Sequence, residues 1–259
     1  AVTGGLFASA APVAAARAQR PESPAAVKHY FELVRPEFSG QRAYDQAAFM
    51  DKYFRWPGNT GFNASVHRVE DIVKSAGYVE ESKAKPGNVL TYRIEHRPIK
   101  APAWDPIDAS VTIAGESAPV LSWATNRNML AINSFSTPDS GVLAPVVDVG
   151  KGTPADYART PVTGKIVLAE GNVGRVFAEA VQKHGAIGVL AYNMPAYTQP
   201  DVHTHSIQFG SVAYDSVKRA WGMPISRDAL TRIRAAIAKG PTSLRVKTKV
   251  HTFPSDEIT

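Results

Sequence analysis

Residues 164–193 read GKIVLAEGNVGRVFAEAVQKHGAIGVLAYN, two short apolar runs on either side of one amphipathic helix. The run 165–169 is apolar and β-branched and is bounded by turn-forming residues, the composition of a buried strand. Val176, Phe177, Ala180 and Val181 then recur at helical spacing, and Gly185 ends the helix. The run 186–192 is again apolar and of strand length. Neither run alternates with polar residues, so both faces of each strand must be covered. Strand, helix and strand joined this tightly make a right-handed crossover between parallel strands. The expected fold class is α/β, of mixed α+β type, built outward from this βαβ unit.

Downstream and upstream of that unit, further strands are predicted at 120–124, 144–149 and 244–250, with a helix over 227–238. The region 118–250 therefore reads as a β-rich domain, and Pro98, Pro102 and Pro106 mark a stiff extended lead-in to it. Residues 23–76 read as helical. Ser23 followed by Pro24 is a helix start, and Pro36 interrupts that helix beyond Val34. A second helix, at about 42–54, places Tyr44, Ala47, Ala48, Met50 and Phe54 inward and stops at the breaker cluster Trp56-Pro57-Gly58-Asn59. The third has Asn63 as its expected N-cap, a stripe of Val66, Val69, Ile72, Val73 and Ala76, and Gly77 at its end. Residues 88–96 alternate as a strand. Three amphipathic helices and one strand cannot enclose a core alone, so their apolar faces need a covering sheet.

Composition narrows the function classes. With 44% hydrophobic and 20% charged residues in 259, the chain is an ordinary globular protein. Its charge of +6 is spread among interleaved acids, with no basic stripe and no aromatic stacking motif, so nucleic acid is not an expected partner. There are no cysteines, hence no disulfides. Residues 1–16 are small and apolar, and Ala16-Arg17-Ala18 fits the small-x-small rule for signal peptidase. The run is too short and too rich in Ala and Gly to span a bilayer, so no membrane span is expected and the product is secreted or periplasmic. At the other end, the alternating run 243–253 lies six residues before Thr259 without a closing element, from which more protein is expected to follow.

Candidate sites are few. If extended, Asp201, His203 and His205 (DVHTH) share one face, a pattern that suits a divalent metal. Their flanks read as loop, no fourth ligand is evident, and a solvated loop is the alternative. Gly171-Asn172-Val173-Gly174 sits between strand and helix where backbone N–H groups could hold an anion, but it lacks the Lys-Ser/Thr ending of a phosphate loop. No Gly-x-Ser-x-Gly elbow is present, and Glu80-Glu81 and Asp256-Glu257 read as surface charges. No catalytic residue is assigned.

Two stretches resemble a known family. Residues 54–65 (FRWPGNTGFNAS), the Val66 helix and Ala76-Gly77-Tyr78 look like the N-terminal helix, loop and helix of bacterial two-zinc aminopeptidases of the aminopeptidase Y and glutamate-carboxypeptidase-like family. Pro102-Ala103-Trp104-Asp105-Pro106, residues 146–152, 164–168 and 185–189, and Ile225-Ser226 resemble the protease-associated domain inserted in such enzymes. The resemblance implies four segments: a signal-peptide remnant at 1–18, the helical start of the peptidase domain with its lead-in at 19–117, the insert at 118–250, and a return to the catalytic domain at 251–259. It implies an exported zinc aminopeptidase-like hydrolase whose insert covers the active site and restricts which peptide or protein substrates enter. Arg55, Trp56 and Asn59 would lie at the substrate rim. The two zinc ions, their ligands and the general base belong to segments after the insert; no cofactor is expected in this chain, because the family's His-x-Asp pair has no match among its seven histidines. The missing C-terminal catalytic segment would be a partner. An alternative is a stand-alone, non-catalytic protease-associated module that binds peptides or a partner protein.

Overall fold

The computed structural model describes residues 25–259, so the signal-peptide reading of 1–18 and the Ser23-Pro24 helix start lie outside the described residues. The chain divides into two compact units, Ala1–Ala48 and Phe49–Thr259. In the first, helix α1 (Ala25–Val34) is followed by a 3-10 turn at Arg35–Glu37, where Pro36 ends the α-helical ladder, and α2 begins (Gly40–Asp51). Tyr44, Ala47 and Ala48, expected inward, are exposed, as are Tyr30, Phe31, Leu33, Val34 and Phe38. Amphipathic spacing selects an apolar face but does not supply the surface that covers it.

The second unit opens with α3 (Thr60–Ser75). Its N-cap is Asn59, not the expected Asn63, so the helix starts four residues earlier than the local pattern suggests. Its end follows the sequence closely. Gly77 takes φ +88°, its N–H reaches Lys74 O at 3.0 Å, and the Tyr78 N–H reaches Val73 O at 3.0 Å. These are the paired bonds of a Schellman ending, which needs a residue free of the Cβ penalty at that φ. Of the predicted stripe, Val66, Ile72 and Val73 are half-buried, whereas Val69 and Ala76 are exposed.

The predicted strand at 88–96 is broken into two short pieces. β1 (Val79–Glu80) pairs in parallel with β2 (Thr91–Tyr92), and β3 (His96–Pro98) pairs with the last strand of the chain, Asp256–Ile258. The proline-marked segment after it is no mere lead-in: β4 (Ala103–Ile113) is an eleven-residue strand. Then come β5 (Leu121–Ser122), β6 (Val142–Asp148), helix α4 (Pro154–Arg159), β7 (Ile166–Glu170), helix α5 (Val173–Phe177) with a π-helical continuation at Ala178–Lys183, and β8 (Gly188–Tyr192). β9 (Trp221–Pro224), α6 (Arg227–Ile237), β10 (Ser243–Phe253) and β11 (Asp256–Ile258) complete the order.

Seven of these strands form one sheet in the order β5-β4-β10-β6-β7-β8-β9. β6 through β9 are parallel neighbours, with Ile166 opposite Gly188 and Leu168 opposite Leu190. The predicted βαβ unit is thus present. β10 runs antiparallel between β4 and β6. The β4–β10 register shifts between Lys249 and Val250, which face Asp108 and Pro106, leaving Ile107 as the extra residue of a bulge. Pro106 has no N–H to give the ladder, and a bulge is where a paired strand tolerates it. The expected boundary at 118 therefore falls after a strand that is already part of this sheet.

Successive side chains of β7 enter different cores. Ile166 and Leu168 pack with Leu190, Leu244 and the Leu230 and Ile233 face of α6. Val167 and Ala169 pack with Val189 and Ala191 under Val176, Phe177 and Val181 of α5 and its continuation. Both faces of the parallel half are therefore covered, which explains why its strands read as unbroken apolar runs. The structure is a mixed α/β fold, and none of the described helices is long and apolar enough to cross a membrane.

Candidate functional site

The loop 55–61 is held from within. Asn59 is fully buried. Its Oδ1 accepts from the Phe62 N–H at 2.8 Å and the Trp56 N–H at 3.2 Å, capping α3 and closing the turn. Its amide donates to Phe54 O at 3.1 Å and Trp104 O at 3.3 Å, tying the loop to β4. Asn59 was expected at a substrate rim; a side chain with all four bonds spent inside the protein and no exposed surface is a structural tie instead. Arg55 and Trp56 are exposed.

Asp105 of β4 makes the second tie. Its carboxylate accepts from the Thr60 N–H at 3.1 Å and from Thr60 Oγ1 at 2.5 Å, placing negative charge at the N-terminus of α3. Trp104 beside it is buried, donates Nε1–H to Ser134 O at 2.8 Å, and meets Phe54 edge-on at 5.7 Å. Gly61 lets the helix approach the preceding chain, because a Cβ there would lie 2.4 Å from Phe54 O. Beside these ties is an open depression of about 410 Å³ lined by Lys52, Tyr53, Thr60, Asp105, Trp123 and Arg127.

A second, larger groove of about 640 Å³ carries more titratable groups, among them His67, Glu70, Tyr92, Arg93 and His96. Glu70 is the hub: Lys74 Nζ lies at 2.8 Å, His67 Nδ1 at 3.0 Å, and Tyr92 Oη donates at 3.2 Å. The Lys74 ammonium foremost, then His67, hold the Glu70 carboxyl down to about 2 from an ordinary 4.5. That is a carboxylate fixed as an ion, unsuited to exchanging protons near neutrality.

At the carboxyl ends of β6 and β7, Arg234 of α6 reaches Asp148 at 2.6 Å and Glu170 at 2.5 Å, and Lys151 reaches Glu170 at 2.9 Å. Lys151 first, and Arg234 second, lower the Glu170 pKa. The charges are mutually satisfied, and the cluster pins α6 to the sheet. No local pattern in the chain signals it, since its members lie far apart.

The metal candidate does not form. Residues 201–205 are turns, not extended chain, so the alternation that would align Asp201, His203 and His205 is absent. Asp201 pairs with Arg227 at 3.2 Å, His205 faces Asp228 at 4.0 Å, and all three candidates are exposed. Asn172, read as turn-forming, caps α5 by accepting from the Arg175 N–H at 3.2 Å. Among the described residues no three His, Cys, Asp or Glu side chains come together in a way that could hold a metal ion. These residues do not fit a zinc pair.

No family model matches the chain, and no curated protein matches it. Solved structures do. A peptidase M28 precursor from Shewanella amazonensis superposes with a TM-score of 0.54 at 15% identity, over 89% of this chain and 52% of its own. A zinc aminopeptidase from Bacillus subtilis gives 0.50 at 14% identity, over 84% of this chain and 45% of its own. An aminopeptidase from Aneurinibacillus sp. strain AM-1 gives 0.46 at 22% identity, over 85% and 47%. The chain spans about half the length of the solved structures it matches. In fold, then, it is similar to one half of bacterial aminopeptidases.

Proposed function

We propose that this chain is the N-terminal and protease-associated portion of an exported zinc-dependent aminopeptidase-like hydrolase. The observation that carries the reading is the likeness of 89% of this chain to half of the Shewanella peptidase. The ordered resemblance of residues 54–65 and of the sheet-forming segments to the same kind of enzyme supports it independently. On this reading the seven-stranded sheet, with α6 on one face and α5 over the parallel half of the other, is the protease-associated insert. The insert covers the active-site mouth and limits which peptides enter, with Arg55 and Trp56 near the rim. The zinc pair and the general base come from a C-terminal catalytic segment. That segment also covers the apolar side chains of α1 and α2 that stand exposed here, including Tyr30, Phe31, Leu33 and Tyr44.

The test is zinc binding and turnover by the purified chain. Equilibrium dialysis against zinc, with an aminoacyl-p-nitroanilide assay on the same sample, is expected to show neither a stoichiometric zinc pair nor hydrolysis. Two bound zinc ions with zinc-dependent release of nitroaniline would overturn the division of labour proposed.

A further inference from the structure

The two halves of the large sheet are covered unequally. On one face, α6 packs against both halves through Leu230 and Ile233. On the other, α5 and its π-helical continuation cover β7 and β8. Among the described residues of the second unit, no helix packs on that second face of β4, β10 and the start of β6. Its outward residues on β10 are Arg245, Lys247 and Lys249, all exposed, while Leu244, Val246 and Thr248 between them are buried. Residues facing one another across an antiparallel ladder share a side of the sheet. Thr112, Ser110 and Asp108 of β4 therefore flank the three cations, and Leu143 of β6 flanks Arg245.

Polar outward residues are ordinary on an antiparallel sheet; here three successive outward residues of an interior strand are cations, with Asp108 the one acid in register beside them. Arg245 donates only to Ser140 O, at 3.0 Å, and no ion pair forms to Lys247 or Lys249 among the described residues. The nearest acid in register, Asp108 opposite Lys249, accepts from its neighbour's Ala109 N–H at 2.9 Å instead. Glu116, at the end of the same groove, is engaged by Arg232 at 3.1 Å. The groove has a volume of about 520 Å³, with Arg245, Lys247 and Leu143 among its lining. Leu143 is 53% exposed. Side chains two apart on a strand are separated by about 6.7 Å, the repeat that alternate residues of any extended peptide also present.

We propose that this open face binds an extended acidic peptide segment, its carboxylates at alternate positions against Arg245, Lys247 and Lys249 and an apolar residue against Leu143. Charge complementarity selects the sign of the partner, the strand repeat selects an extended conformation, and Leu143 selects against a purely polyanionic ligand. The assignment does not depend on the peptidase reading.

Fluorescence anisotropy with a fluorescein-labelled (Glu-Val)4 peptide tests it on the intact chain. Saturable binding is expected, weakening with added salt because the contacts are solvent-exposed. The triple variant R245E/K247E/K249E should lose about tenfold or more in affinity, on the scale that three exposed ion pairs support. A control with the same change in charge elsewhere, K85E/K100E/K218E, should bind as the parent does. Circular dichroism checks the fold, and the milder R245Q/K247Q/K249Q replaces the reversal if that one does not fold. The proposal is overturned if the peptide fails to saturate, if (Lys-Val)4 or a single-stranded oligonucleotide binds equally well, if both triple reversals lose affinity alike, or if light scattering shows a second copy of the chain occupying this face.

Discussion

Replacing Asn59 by alanine removes four hydrogen bonds from a site with no access to water. The loss of an N-cap acceptor at α3 costs about 1 kcal/mol. The carbonyls of Phe54, part-buried, and Trp104, buried, also lose this donor, and each such loss costs about 1 kcal/mol. The sum is about 3 kcal/mol, which for a unit of this size lowers the melting temperature by about 6–12 °C. Urea unfolding followed by tryptophan fluorescence reports it directly, because Trp104 sits against the site. Asn59→Ser separates the contributions: the hydroxyl retains a capping acceptor but cannot reach both carbonyls, so about 1 kcal/mol of the loss should return. An Asn59→Ala variant within about 0.5 kcal/mol of the parent, the range of an inert surface substitution, would refute the reasoning that this side chain is a structural tie.

Two other groups give predictions of different sign. The Tyr157 hydroxyl is buried without a hydrogen-bond partner among the described residues, and burial pushes its pKa up to about 12. Tyr157→Phe removes that unsatisfied group while keeping the ring stacked on His184 at 5.1 Å, so thermal unfolding should find the variant as stable as the parent or about 1 kcal/mol more stable. Glu70 has a folded pKa near 2, below its ordinary 4.5, so its contribution is fully present above pH 4.5 and is lost as pH falls toward 2. Melting curves of Glu70→Gln and the parent should therefore differ most near neutrality and converge toward pH 2; a gap that is constant with pH would contradict the ion-pair account.

The parts of the fold legible in the sequence are those decided locally. The βαβ unit is readable because strands covered on both faces must be apolar at every position, and the end of α3 because one glycine fits its turn. Three other elements depend on distant partners. Asn59 and Asn63 are equally good caps by residue type; what decides for Asn59 is that Trp104 O and Phe54 O receive its amide. The strand Ala103–Ile113 is hidden by Pro102 just before it and Pro106 within it, since a bulge tolerates Pro106 only when a partner such as β10 exists. The Asp105–Thr60 contact escapes a local reading for the same reason, 45 residues separating the pair. The DVHTH candidate fails where local reasoning is weakest: period-two spacing aligns side chains only in extended chain, and this stretch turns.

The division of labour itself is tested most directly by supplying the catalytic segment. The coding sequence beyond Thr259 would be read, and the chain assayed for release of an N-terminal residue from a short peptide, alone and joined to its downstream segment. The account predicts a downstream His-x-Asp and acidic ligand set, zinc-dependent turnover by the joined protein, and none by the chain alone. A stop codon directly after Thr259, or a downstream segment without metal ligands, would contradict it.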